Sequence, residues 1–130
     1  MQDYHKLHVW VRAHAFAIDV RKTAEGFPPD FSSVRNQIIR AAESIVNNLV
    51  EGCGAATRPE FARFVDISIK STLEVQYQLE LARDNRVLDA ETWEKLTLEV
   101  VEIRKMLHGF RKKLLARSTV SRRQRRGGKR

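Results

Sequence analysis

Six polar residues interrupt two otherwise apolar helical patterns: Arg40, Ser44, Asn48 and Glu51 in one stretch, Ser71 and Glu74 in another. Arg40, Ser44 and Asn48 follow at steps of four, which stacks them along one side of a helix, and Ser71 and Glu74 stand one turn apart. Brought together, a cation, two carboxylates, hydroxyls and an amide could hold a polar ligand or move a proton. The same groups could instead form an interhelical network, with Arg40 neutralising a carboxylate and the amide and hydroxyls filling the remaining bonds. The network is the favoured reading, because structural networks perturb charges as active sites do and no nucleophile is paired with a base. No catalytic residue is assigned, and an enzyme is the least favoured class.

The second chemical feature is charge. The chain has 24 lysine and arginine residues against 16 aspartate and glutamate, a formal net charge of +8. Arg117, Arg122, Arg123, Arg125, Arg126, Lys129 and Arg130 supply seven of the eight, and residues 117–130 contain no acid. Residues 1–116 keep 17 basic against 16 acidic residues, so a near-neutral body carries a basic tail. Arginine-rich segments contact phosphates and release counterions without reading sequence. If all seven charges met duplex phosphates, log K would fall with log salt at a slope near roughly −6. The bland reading is a tail that serves solubility alone.

Other reactive side chains point to less. The histidines are His5, His8, His14 and His108, and none lies three residues after a glutamate, the step that a di-iron bundle needs on two helices. His5 and His8 read as solvated residues, and neither metal nor cofactor is expected. Cys53 sits between two glycines with no Cys-x-x-Cys partner and reads as a small packed residue. Trp10 and Trp93 read as core or interface anchors rather than platforms for bases. A single cysteine excludes a disulfide framework. No apolar run approaches the roughly 18 residues of a membrane span, and the N-terminus lacks an apolar signal-peptide core. A cytoplasmic protein with no membrane partner is expected.

Four helices must position these groups. A first, about residues 3 to 25, shows two candidate faces: Leu7, Val11 and Ile18, and Val9, Ala13, Phe16 and Val20. Gly26 and then Pro28-Pro29 stop it, and Phe27 and Phe31 can pin the connector to the bundle. Ser32 or Ser33 is the expected N-cap of a central helix running to about Gly52 or Gly54. Its apolar rows are Ile38, Ala42, Ile45, Leu49 and Gly52, with Ile39, Val46 and Val50 alongside. Thr57-Arg58-Pro59-Glu60 fits a capping box. The third helix that follows has a seam of Phe61, Val65, Ser68, Thr72, Val75, Leu79 and Ala82 and ends near Asn85. Asp89 caps a fourth, in which Trp93, Leu96, Val100, Ile103, Leu107, Phe110 and Leu114 alternate steps of three and four. The pattern stops after Ala116.

Short connections between four such helices predict an all-α, antiparallel up-down-up-down four-helix bundle over residues 1–116, followed by a basic, disordered tail over 117–130. Absence of period-two alternation predicts no sheet. Extra apolar width on the first two helices calls for cover, most economically by another copy of the chain.

Three stretches carry a family resemblance: the Trp10 region with Phe27-Pro28; Gln37-Ile38-Ile39-Arg40-Ala41-Ala42-x-Ser44-Ile45-x-Asn47-Asn48-x-x-Glu51-Gly52; and Glu60-Phe61-x-Arg63-Phe64-Val65-x-Ile67-Ser68-x-x-Ser71-x-x-Glu74. Across about residues 7 to 114 the chain resembles the four-helix-bundle proteins encoded within intervening sequences of bacterial 23S ribosomal RNA genes. The resemblance implies antiparallel bundles that assemble as ring-like homopentamers, without a firmly assigned activity. A distant relative of that family, the accessory protein of diversity-generating retroelements, is a basic barrel that binds nucleic acid and a reverse transcriptase. The near-neutral body of this chain departs from that relative, so its tail must be judged on its own. Taken together, the expectation is a non-enzymatic homo-oligomer that binds RNA or another nucleic acid through its tail. The competing class is a protein-interaction scaffold with no nucleic-acid role.

Overall fold

Apolar residues at steps of three and four become the buried faces of four α-helices. The computed structural model describes residues 2–127, with the side chains of residues 2–116. In chain order come a 3-10 turn at Tyr4–Lys6, α1 (His8–Glu25), a second 3-10 turn at Pro29–Phe31, α2 (Ser32–Cys53), α3 (Arg58–Asp84) and α4 (Ala90–Gly127). Among the described residues there is no strand.

The seven-residue seam of α3 is buried throughout. So are Ile38, Ala42, Ile45, Leu49 and Gly52 of α2, and Leu96, Val100, Ile103, Leu107 and Leu114 of α4. Only one of the two expected faces of α1 is core. Val9, Ala13, Phe16 and Val20 are buried, whereas Val11 (49% exposed) and Ile18 (43%) face outward. Apolar width is therefore left over on α1, but on α2 the second row is covered: Val46 is buried and Ile39 and Val50 are half-buried.

The helix ends differ from expectation in three places. The first helix begins at His8, because Asp3 caps a separate 3-10 turn by accepting from the His5 backbone N–H at 3.0 Å. Neither Ser32 nor Ser33 is an N-cap. The Pro29–Phe31 turn feeds straight into α2, so that Ser32 already has helical dihedrals and Phe31 holds the cap position without a side-chain bond. The fourth helix continues through Gly127 rather than stopping at Ala116. Residues 110–126 contain neither glycine nor proline and several arginines and lysines, so nothing local breaks the helix there.

Two other caps match expectation. Thr57 Oγ1 accepts from the Glu60 N–H at 3.2 Å while the Glu60 carboxylate reaches back to the Ala56 N–H at 3.0 Å. Asp89 Oδ1 accepts from the Thr92 N–H at 2.6 Å, and those bonds hold its carboxyl below the usual carboxylate range.

Around the bundle α1 packs on α2, α2 on α3, α3 on α4, and α1 meets α4. The Arg12 guanidinium joins α1 to α4 through both oxygens of Glu99. Gly52 meets Phe61, Ser44 meets Ser71, and Gln37 meets Gln78 at 2.8 Å, so partners on α2 and α3 step in opposite directions. The contacts between α3 and α4 step likewise: Phe61 with Phe110, Asp66 with Arg111, Gln76 with Arg104, Arg83 with Trp93.

A Cβ on Gly52 would stand 2.5 Å from Phe61 Cδ1 and 3.2 Å from Phe64 Cβ. Gly52→Ala is expected to cost about 1–3 kcal/mol through overpacking, read as a lowered urea midpoint; an unchanged midpoint would contradict the close approach. Arg86 has φ 62°, the left-handed conformation that ends α3. Arg86→Gly should raise stability by about 1 kcal/mol, since glycine lacks the Cβ clash, and a loss of stability in the same titration would refute that cause.

Candidate functional site

The polar residues of α2 and α3 form a smaller network than the sequence predicts. Ser71, buried, donates its hydroxyl to Ser44 Oγ at 2.8 Å. Asn48 donates its amide to the Ser44 carbonyl at 2.8 Å and to Ser44 Oγ at 3.1 Å. One turn away the buried Ser68 donates to the Ile45 carbonyl at 2.9 Å, a bond from one helix's side chain to the other's backbone. Ala41, Ala42 and Gly52 on α2 are small enough to permit that approach. Ser68 and Thr72 stand in the α3 seam as if apolar; a run of small hydroxyl residues within a buried row was the available signal for the extra bond.

Three of the six expected members stand apart. Arg40 and Glu74 are exposed. They share an open cleft with Gln37, Ser44, Tyr77 and Gln78, but neither forms an ion pair with a described residue. Glu51 is exposed on the last turns of α2. The expected neutralisation of a carboxylate by Arg40 is not made among the described residues: the charges stay in water, and the groups drawn between the helices are neutral hydroxyls and an amide. Such a set orders helices and offers no titratable group for proton transfer.

The tail charges divide at the limit of the description. Arg117, Arg122, Arg123, Arg125 and Arg126 lie on the C-terminal turns of α4, with side chains outside the described residues, and Lys129 and Arg130 lie outside them altogether.

Other candidates take local roles. Trp10 is half-buried, its ring stacked on His14 at 4.8 Å and flanked by Tyr4 and His5. Arg83 covers the Trp93 ring at 4.1 Å. Both indole N–H groups are buried without a hydrogen-bond partner among the described residues. His8 and His108 are exposed, and no group of three or more His, Cys, Asp or Glu is placed to hold a metal among the described residues. Cys53 is buried, and that burial pushes its thiol pKa up, away from the reactive thiolate.

Four of the surface clefts lined by described residues differ in charge. The cleft between α1 and α2 sets Arg21 and Lys22 against Glu25 and Glu43. That between α2 and α3 sets Arg40 against Glu74, and that between α1 and α4 sets Lys95 against Asp19, Glu99 and Glu102. The fourth, of about 430 Å³, lies where the α2–α3 connection meets α4; Arg58 and Lys113 line it and no carboxylate does.

These features define a four-helix-bundle protein held by a neutral hydroxyl network, with unbalanced positive charge at one end. The chain belongs to the 23S rRNA-intervening sequence protein family, whose family model matches residues 5–109. A crystal structure of a protein of unknown function from the S23 ribosomal protein family of Bacteroides thetaiotaomicron is similar, with 25% sequence identity and a TM-score of 0.75. The match covers 80% of this chain and 95% of that one. Comparison with curated proteins gives no match. No described helix is long and apolar enough to cross a membrane.

Removing the acceptor at the centre of the network tests its weight. Ser44→Ala leaves the buried Ser71 hydroxyl without its partner and should cost about 1–3 kcal/mol. Adding Ser71→Ala should then cost less than it does alone, giving a coupling of at least about 0.5 kcal/mol in a double-mutant cycle of urea titrations. Strict additivity would show that the two hydroxyls do not interact.

Proposed function

We propose that this protein is a non-enzymatic, oligomeric bundle that binds RNA or another nucleic acid through the basic run at its C-terminus. The observation that carries the reading is the placement of charge: seven of the eight excess positive charges fall in residues 117–130, without one acid. A segment so composed binds phosphates by counterion release, independently of base sequence. The family's name ties these proteins to intervening sequences of 23S rRNA, and the reading places this one with an RNA partner in a bacterial cytoplasm.

In this reading the bundle is antiparallel and up-down-up-down, and it assembles as a homopentamer, as its family resemblance implies. Exposed Val11 and Ile18 on α1, and Leu73 and Tyr77 on α3, are apolar surface that a second copy would cover. An assembly would then present several tails at once and raise avidity. The same exposed residues favour the second reading, a protein-interaction scaffold whose tail is incidental.

Binding of fluorescent structured RNA and of duplex DNA across a salt series separates the two. The full chain should bind with a steep slope, near roughly −6 on duplex if all seven charges engage. A chain with the seven basic residues of 117–130 replaced by glutamine should lose most of that affinity and most of the slope. Failure of the full chain to bind even at low salt would overturn the nucleic-acid reading and leave the scaffold.

A further inference from the structure

Aromatic and basic residues interleave at the start of the chain. Residues 4–18 hold three of the four histidines, together with Lys6 and Arg12, and no acid. The fold gathers four rings of this stretch into one surface group. Trp10 stands at its centre, half-buried. His14, one turn further along α1, lies flat on it, with centroids 4.8 Å apart and planes 7° from parallel. Tyr4, also half-buried, approaches Trp10 at 4.9 Å. His5 stacks on Tyr4 at 4.2 Å and meets Trp10 edge to face at 5.3 Å. Each half-buried ring therefore carries an imidazole as an outer plate.

Both plates are open to solvent and held in place. The His5 side chain is 64% exposed, and its Nδ1 donates to Asp3 Oδ1 at 2.8 Å. That bond holds the Asp3 carboxyl below the usual carboxylate range, so the acid nearest the rings is already engaged. His14 is exposed and borders the open cleft between α1 and α2. The Gln2 backbone N–H donates to the Cys53 carbonyl at 3.1 Å, which ties the Tyr4–Lys6 turn to the end of α2. Gln2 also lines the cleft that Arg58 and Lys113 share, so the rings lie at the end of the bundle where free positive charge stands. Lys6, Arg58 and Lys113 make no ion pair with a described residue.

We infer that His5 and His14 each stack an unpaired base of a single-stranded nucleic acid, with Lys6 on an adjoining phosphate. The inference rests on the nucleic-acid reading above and adds a fixed, folded contact to one made by charge alone. Histidine is among the rings that stack splayed bases, and such stacking tolerates any base because every base has a π-face. Pre-stacked plates lose little freedom when a base is added. A duplex keeps its bases paired and stacked within, so single strands gain a contact that duplexes do not. A metal ion is the poorer match for these histidines, since no group of three or more His, Cys, Asp or Glu is placed to hold one among the described residues.

The test titrates the full chain carrying His5→Ala and His14→Ala with fluorescent single-stranded oligouridylate and with duplex DNA. A control, His8→Ala with His108→Ala, removes two exposed imidazoles that stack on no ring among the described residues. The plate variant should bind the single strand about tenfold more weakly, while its duplex affinity matches the control's. His5→Phe with His14→Phe keeps two flat faces and should bind within about twofold of the unaltered chain. On the unaltered chain, where no variant can disturb folding, oligouridylate bearing 4-thiouridine should cross-link within residues 4–14 on irradiation. Equal losses in the plate variant and the control, equal losses on single strand and duplex, or no cross-link within residues 4–14 would each overturn the plates and leave tail-driven binding intact. Failure of the unaltered chain to bind either nucleic acid would overturn both readings.

Discussion

The close approach of α2 and α3 is the constraint on which the rest of the molecule depends. Ala41, Ala42 and Gly52 remove bulk from one side, and Ser68, Ser71 and Thr72 supply small polar residues on the other. Only at that separation can the Ser68 hydroxyl reach the Ile45 carbonyl of the neighbouring helix. Larger apolar residues would bury more surface but push the helices apart; glycine fits one end because the Phe61 ring occupies the place of its Cβ. The seam is thus tightened by dispersion and closed by neutral hydrogen bonds that need no buried charge. Phe61, wedged against Gly52, meets Phe110 of α4 edge to face, which joins the α2–α3 seam to the fourth helix.

Charge follows a second, longer-range logic. Acids in the first turns of α4 complement the helix dipole there, but the bases of residues 104–113 lie in mid-helix, beyond its reach. The consequence is a body whose net charge is close to zero yet whose ends differ. Ion pairs such as Arg12 with Glu99 and Arg21 with Glu43 sit on the flanks between helices, half-exposed, and contribute roughly 0–1 kcal/mol each. They steer the helices' register more than they hold them together. Positive charge without an ion pair among the described residues stands instead at Lys112 and Lys113.

Much of the fold was legible because steps of three and four are dictated by helix geometry. The α3 seam was readable residue by residue, even with two serines or threonines within it, and so were the Thr57 and Asp89 caps. What was not legible depended on partners. The sequence of α1 shows two plausible apolar faces, and only the placement of α2 and α4 decides that Val9, Ala13, Phe16 and Val20 turn inward. Ser32 and Ser33 look like caps until the Pro29–Phe31 turn is seen to run into the helix. Arg40, Glu51 and Glu74 belong to the network by spacing, yet each has a low-cost alternative in water, which a helical wheel does not weigh. The cleft where the α2–α3 connection meets α4 combines residues from positions 2 to 114, and no local pattern announces it.

We propose above all that the basic run of residues 117–130 meets nucleic acid. Hydrogen–deuterium exchange of the full chain, with and without single-stranded RNA, tests this most directly. Slowed exchange in peptides spanning residues 104–127 is the predicted result. Protection spread over the opposite end, residues 30–45 and 84–98, or no protection under conditions where RNA binds, would contradict it.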